Sequence, residues 1–200
     1  GATRCAVESD GIAGHAGTVP MSLRQDALAA AAECVLAIER RCGAEPGLVG
    51  TVGKLECLPG AVNVVPGKVR FTIDIRAPRD PLPLAAVDDV LPAMKAVAAR
   101  RTARLGVTKT HEGGVAACAP WLMDQIGAAI AAEGVPVRRL PSGAGHDGMA
   151  IIALTDIGML FVRCEKGISH NPAEHASPQD MGAAVAALAG FIARFAPAQG

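Results

Sequence analysis

The sequence carries no net charge: its 200 residues set 19 lysines and arginines against 19 aspartates and glutamates, and no basic run exceeds two residues. That balance excludes the electrostatic footprint by which proteins hold nucleic acid. No stretch of about 18 uninterrupted apolar residues occurs, which argues against a membrane-spanning helix and a membrane partner. The first residues also lack the charged-then-apolar order of a secretory signal, so a cytoplasmic location is expected. The cysteines (Cys5, Cys34, Cys42, Cys57, Cys118 and Cys164) are scattered without the CxxC spacing of zinc and redox sites. In a chain of this size they read as small buried apolar residues and free thiols. Internal repeats and low-complexity linkers are absent too. So is an initiating methionine: Gly1 runs straight into a strand-like segment, and a fragment of a longer protein is expected.

What is present falls into two blocks, 1–118 and 119–200. TRCAVES (3–9) puts Cys5 and Val7 on one face and Arg4 and Glu8 on the other, a half-buried strand. SLRQDALAAAAECVLAIERRCG predicts a helix with Ser22 as N-cap, Gln25 completing a capping box, and Gly43 as its stop. LVGTVGKLEC (48–57) and KVRFTIDIRA (68–77) read as strands. The second alternates without a break, with Val69, Phe71, Ile73 and Ile75 inward and Arg70, Thr72, Asp74 and Arg76 outward. A second helix is predicted within 80–101, with Pro92 expected to kink or break it. LGVTKTHE (105–112) follows as a weaker strand. The order βαββαβ is that of the ferredoxin-like split unit, four antiparallel strands with two helices on one face.

From about Pro120 the pattern becomes a piece of an α/β layer. It predicts a helix ended by Gly134, a short strand at VPVRRL (135–140), a loop at SGAGHDGM (142–149) and a helix including IIAL (151–154). A buried strand is predicted at IGMLFVR (157–163), then a last helix with Ser177 as N-cap, Pro178 at its first position and Asp180 placed for the helix dipole.

Several polar residues sit where chemistry is possible. His15, in GIAGHAGTVPM, is either an uncrowded imidazole among backbone N–H groups or a turn histidine bonded to its own loop. Asn63, in PGAVNVVPGK, offers a donor and an acceptor, or is a turn residue tolerating positive φ. Arg76 carries a planar fork suited to a carboxylate, or is a solvated arginine paired with Asp74. His146 and Asp147 follow the SGAG loop at a strand end, where ligands approach α/β sheets; alternatively Asp147 caps a helix. His170, in GISHNPAEHASPQD (167–180) beside Glu174, suits a metal site.

In this order GIAGHAGTVPMSLRQDA, NVVPG, DIRAP, SGAGHD and GISHNPAEHASPQD resemble one family over nearly the whole chain. It is the group of amidohydrolases that includes N-carbamoyl-L-amino-acid hydrolase, β-ureidopropionase and allantoate amidohydrolase, relatives of the aminoacylases and carboxypeptidase-like dinuclear metallohydrolases. The resemblance implies hydrolysis of the ureido or amidino amide of a small carboxylate-bearing substrate, with two divalent ions (zinc, manganese, cobalt or nickel) and a glutamate base. It implies that His170 is a metal ligand and that His15 is catalytic and substrate-binding, polarising the scissile carbonyl from a partner subunit. Asn63 and Arg76 would bind the carboxylate, and Gly145 and His146 would line the site. Residues 1–118 would be a lid and dimerisation domain forming a homodimer, and 119–200 the C-terminal part of the catalytic domain.

The family's other ligands and its catalytic glutamate match nothing here: there is no HxD pattern and no Glu-Glu pair. One ligand and no activity are therefore expected of this chain alone. His111 and His175 fit no ligand motif, and His175 stands where an aromatic is expected. Two alternatives stay open: an N-acyl amino acid or dipeptide hydrolase, and a non-catalytic dimerisation or binding module.

Overall fold

The alternation of residues 68–76 sets the centre of the first unit, Gly1–Val115, in the computed structural model, which describes residues 1–197. Its elements begin with β1 (Ala2–Asp10), a two-residue β2 (Gly14–His15), a 3-10 turn (Met21–Leu23) and α1 (Ala27–Gly43). Next come β3 (Val49–Thr51), β4 (Leu55–Leu58), β5 (Val64–Val65), β6 (Lys68–Arg76), α2 (Leu82–Arg100) and β7 (Arg104–Gly113). β1 pairs antiparallel with β6, Ala2 opposite Arg76 and Asp10 opposite Lys68, and on its other side with β7. β3 and β4 both pair with β6, opposite its end and its beginning, and so share one strand position. The order β3/β4–β6–β1–β7 is the expected ferredoxin-like one.

Period two meets period 3.6 in the core. Cys5 and Val7 of β1 and Val69, Phe71, Ile73 and Ile75 of β6 pack against Ala30, Ala31, Cys34 and Ile38 of α1 and Ala86, Val90, Met94 and Val97 of α2. Each buried Val, Ile, Met or Phe contributes about 1.5–3 kcal/mol of transfer free energy. Burial pushes the Cys34 thiol up to about 11, and all six cysteines are free.

Three local expectations are corrected. Asp26, not Ser22, caps α1: its carboxylate accepts from the amides of Leu28 and Ala29 at 2.9 and 3.0 Å, while residues 21–23 form the 3-10 turn. A charged oxygen serving two amides at the positive end of a helix outcompetes a serine hydroxyl. Gly43 is the last helical residue rather than a left-handed stop, and that conformation falls at Gly47, φ 82. Pro92 does not break α2, which runs through it. It lies on the exposed face, so the hydrogen bond it cannot donate leaves the Asp88 carbonyl to water.

The second unit, Ala116–Gly200, contains α3 (Pro120–Ala132), α4 (Gly148–Ile151), a 3-10 turn (Glu165–Gly167) and α5 (Pro178–Ala193). Ser177 caps α5 as expected, accepting from the Asp180 amide at 3.0 Å, and Gly134 follows α3 at φ 70. Trp121 packs tilted against Phe195, and Phe195 edge-to-face against Phe191, with centroids 6.0 and 5.5 Å apart, tying α3 to the end of α5. Neither 135–140 nor 157–163 is a strand, and Phe161 and Val162 are exposed rather than buried. A strand is completed by its ladder partners, and no sheet forms among the described residues of this unit. Its buried hydrophobics are few, chiefly Ala119, Leu122, Ala129 and Ala187, while Leu154 is 85% exposed and Val185 68%. No helix of the described residues is long and apolar enough to cross a membrane.

Candidate functional site

Backbone hydrogen bonds join the GHAG and NVVPG motifs. β2 pairs with β5, His15 opposite Val64, and the Ala16 amide donates to the Asn63 carbonyl at 2.9 Å. The base of the loop is clasped by Gly11 N–H to Gly67 O and Ile12 N–H to Gln25 O, each 2.8 Å. The approach leaves no room for side chains: a Cβ on Gly11 would collide with the Gln25 carbonyl, and one on Gly67 would lie 2.8 Å from the Ala13 nitrogen. Arg24 holds the tip, donating to the carbonyls of Val19 and Ala16 at 3.1 and 2.6 Å.

The clasp brings His15 and Asn63 together on exposed backbone. The Gly17 amide donates to His15 Nδ1 at 3.0 Å, so in the neutral ring the proton sits on Nε2 and makes it a donor. His15 is thus bonded to its own loop, and that bond leaves the N–H of the neutral ring on Nε2. Asn63 lies in a turn closed by Val64 N–H to Ala61 O, 3.2 Å, but without the positive φ that a turn asparagine can adopt.

Arg76 ends β6 on the sheet face opposite the helices. Its Nε and Nη2 donate to Asp74 Oδ1 and Oδ2, both at 2.8 Å, and Arg4 Nε of β1 reaches Asp74 Oδ2 at 3.0 Å. The hydrogen bond from Arg76 holds the Asp74 carboxyl below its ordinary value against the opposing effect of burial, and Asp74 raises Arg76 in turn. Glu8 continues the ion pairs along this face, with Arg70 at 2.8 Å and Lys68 at 3.5 Å.

In the second unit His170 occupies the left-handed region, φ 57, where its amide donates to Glu174 Oε2 at 2.9 Å and its Nδ1 shares a hydrogen bond with Ser169 Oγ at 2.8 Å. In the tautomer in which Nδ1 donates this bond, Nε2 carries the lone pair that a metal takes. Glu174, its carboxylate taken by the backbone, stabilises a conformation uncommon outside glycine. His146 Nε2 lies 2.6 Å from Ser142 Oγ, and Asp147 stands at the N-cap of α4 without a side-chain capping bond. Gly145 is not in the left-handed region, and a Cβ there would meet only Met149 Sδ at 4.0 Å. His111 lies opposite Arg4 on β7, and the His175 carbonyl accepts from the Glu165 amide.

Among the described residues no group of three or more His, Cys, Asp or Glu could hold a metal ion. The described residues thus do not form a metal centre by themselves. Concavities of about 350 Å³ beside Cys5 and α2 and about 540 Å³ beside His175 are lined by none of the six candidate residues. Sequence reasoning missed the brace of Arg4 on Asp74 and the restraint of His170 by Ser169 and Glu174. The signal for Asp74 was its position two residues before Arg76 on one strand face.

The profile described as peptidase family M20/M25/M40 matches residues 8–194. The chain is 38% identical to allantoate deiminase of Arabidopsis thaliana over 221 residues, covering 96% of this chain and 42% of that protein. It is 38% identical to N-carbamoyl-L-amino acid amidohydrolase of Geobacillus stearothermophilus over 174 residues, covering 85% of this chain and 42% of that one. The solved structure of an amidase of the hydantoinase/carbamoylase family from Burkholderia multivorans is similar at a TM-score of 0.88 and 30% identity, over 96% of this chain and 47% of its own. The chain thus spans less than half the length of these relatives. With a match that leaves only its ends uncovered, the chain belongs to peptidase family M20/M25/M40.

Proposed function

We propose that this chain is part of a metal-dependent amidohydrolase that cleaves the carbon–nitrogen bond of allantoate, an N-carbamoyl amino acid or a related ureido acid in the cytoplasm. The observation that carries the reading is 38% identity, across 96% of the chain, to a relative named allantoate deiminase. In this reading His15 donates its Nε2–H to the scissile carbonyl oxygen, which its bond from Gly17 supports. Arg76 binds the substrate carboxylate, joined by Asn63 of the partner subunit together with its clasped His15, because in one chain the length of β6, about 26 Å, separates Asn63 from Arg76. Gly145 and His146 line the pocket. His170 is one ligand of a dinuclear zinc, manganese, cobalt or nickel centre. The first unit serves as lid and dimerisation unit. β7 is the edge suited to pairing with a second copy, because it is one strand of 10 residues, regular from Arg104 to Lys109 and bulged only at Thr110, whereas the opposite edge is split between β3 and β4.

The test is turnover of allantoate and N-carbamoyl amino acids by the complete protein that carries this chain. Hydrolysis is expected to stop on chelation and return with divalent metal. A charge-assisted fork on a carboxylate contributes about 2–4 kcal/mol that lysine cannot reproduce, so Arg76→Lys is expected to lower kcat/KM about a hundredfold, chiefly through KM. Near-normal kinetics of that variant would remove Arg76 from recognition. The family's description as peptidases favours one second reading, hydrolysis of a dipeptide or N-acyl amino acid, and turnover of those substrates in preference to ureido acids would establish it.

A further inference from the structure

Asp74 has so far only a pairing, and its geometry gives it more to do. An arginine at a strand end has many rotamers, and ordering such a side chain on binding weakens affinity about three- to tenfold. Here two bonds of 2.8 Å fix the guanidinium plane of Arg76 against a carboxylate on the same strand face. That carboxylate is braced in turn by Arg4, which stands directly opposite Asp74 in the β1–β6 ladder and reaches it at 3.0 Å. The restraint therefore runs back into the two central strands of the sheet.

We propose that Asp74, braced by Arg4, is a positioning residue that presets the guanidinium of Arg76 for the carboxylate of the substrate. This rests on the reading of Arg76 as a carboxylate binder. Simple charge counting makes the opposite forecast from positioning: removing the Asp74 charge leaves the face more positive and should tighten binding.

The experiment compares steady-state kinetics of the complete protein and its variants on an N-carbamoyl amino acid and on the same substrate with its carboxylate amidated. Asp74→Asn is expected to raise KM for the acid about five- to tenfold, with kcat within about twofold and the amide unaffected. Arg4→Gln, at an exposed position, is expected to raise KM about two- to threefold in the same direction. With Arg76→Lys already in place, Asp74→Asn should add nothing to KM, since there is no fork left to orient. An unchanged or lowered KM in Asp74→Asn, or an equal effect of that change in both backgrounds, overturns the proposal. Should Asp74→Asn fail to fold, Arg4→Gln decides alone, an unchanged KM being the adverse result. If Arg76→Lys itself leaves KM unchanged, the carboxylate role of Arg76 falls and the positioning role with it, so that arm tells the two failures apart.

Discussion

Asp74 lies on the polar side of a strand whose other side is core, so its titration reports on the fold as well as on Arg76. Paired with Arg76 and Arg4, its carboxyl titrates below its ordinary 3.8 in the folded chain. The unfolded chain therefore takes up this proton at higher pH than the folded one. The stability due to the pairing is complete above 3.8 and is lost as pH falls through the lower folded value. Urea midpoints measured at pH 7 and at pH 3 should fall less in Asp74→Asn than in the parent; equal falls would mean that the pairing has no weight in the folded state. The pairing was legible in the sequence, because FTIDIR alternates and puts Asp74 and Arg76 on one face. The brace from Arg4 was not, because it depends on which residue of β1 stands opposite Asp74, a register fixed by long-range pairing. The proton on His15 was hidden for a related reason: the donor that sets it, the Gly17 amide, is aimed by the loop's clasp on 63–67.

At the scale of elements, periodicity was a guide to most of the first unit, but the single strand expected over 48–57 is divided into β3 and β4 by residues 52–54. β1, β6 and α1 appear where alternation and the Ala-rich run put them. The start of α1 shows how two caps compete: Ser22 with Gln25 fits a capping box, yet Asp26 immediately precedes the helical run and holds two amides. Asp26→Ala is expected to cost about 1 kcal/mol in denaturant unfolding and Ser22→Ala close to nothing. The reverse order would restore the capping-box start. In the second unit the β-branched residues of 135–140 and the apolar run of 157–163 suit a sheet by composition alone. They remain irregular because apolar composition cannot supply the neighbouring strand that a ladder requires. The GISHNPAEH loop was legible as a polar site candidate, but not the left-handed backbone at His170 or the carboxylate that supports it.

The two units differ in how well they stand alone. The cluster around Phe71 and Met94 is built wholly from residues of the first unit, which makes Gly1–Val115 suitable for separate study. Sedimentation of that segment at tens of micromolar should show a discrete dimer if β7 pairs with a second copy, and a clean monomer would count against the dimerisation role. The second unit leaves Leu154, Val185 and Ile192 in water, apolar exposure that favours association of a less specific kind. The sheet order has a further consequence, for synthesis. β1 lies in the middle of the sheet, yet its neighbours β6 and β7 are translated long after it. At about 5–20 residues per second, the roughly 100 residues from the end of β1 to the end of β7 take about 5–20 s to make. For about the first two-thirds of that time, until β6 is made, a strand bearing Cys5 and Val7 has both hydrogen-bonding edges open, and one edge stays open until β7 follows, far longer than the microseconds in which a hairpin can form. Slow codons between Lys68 and Gly113 would lengthen the exposure, and fast ones would shorten it.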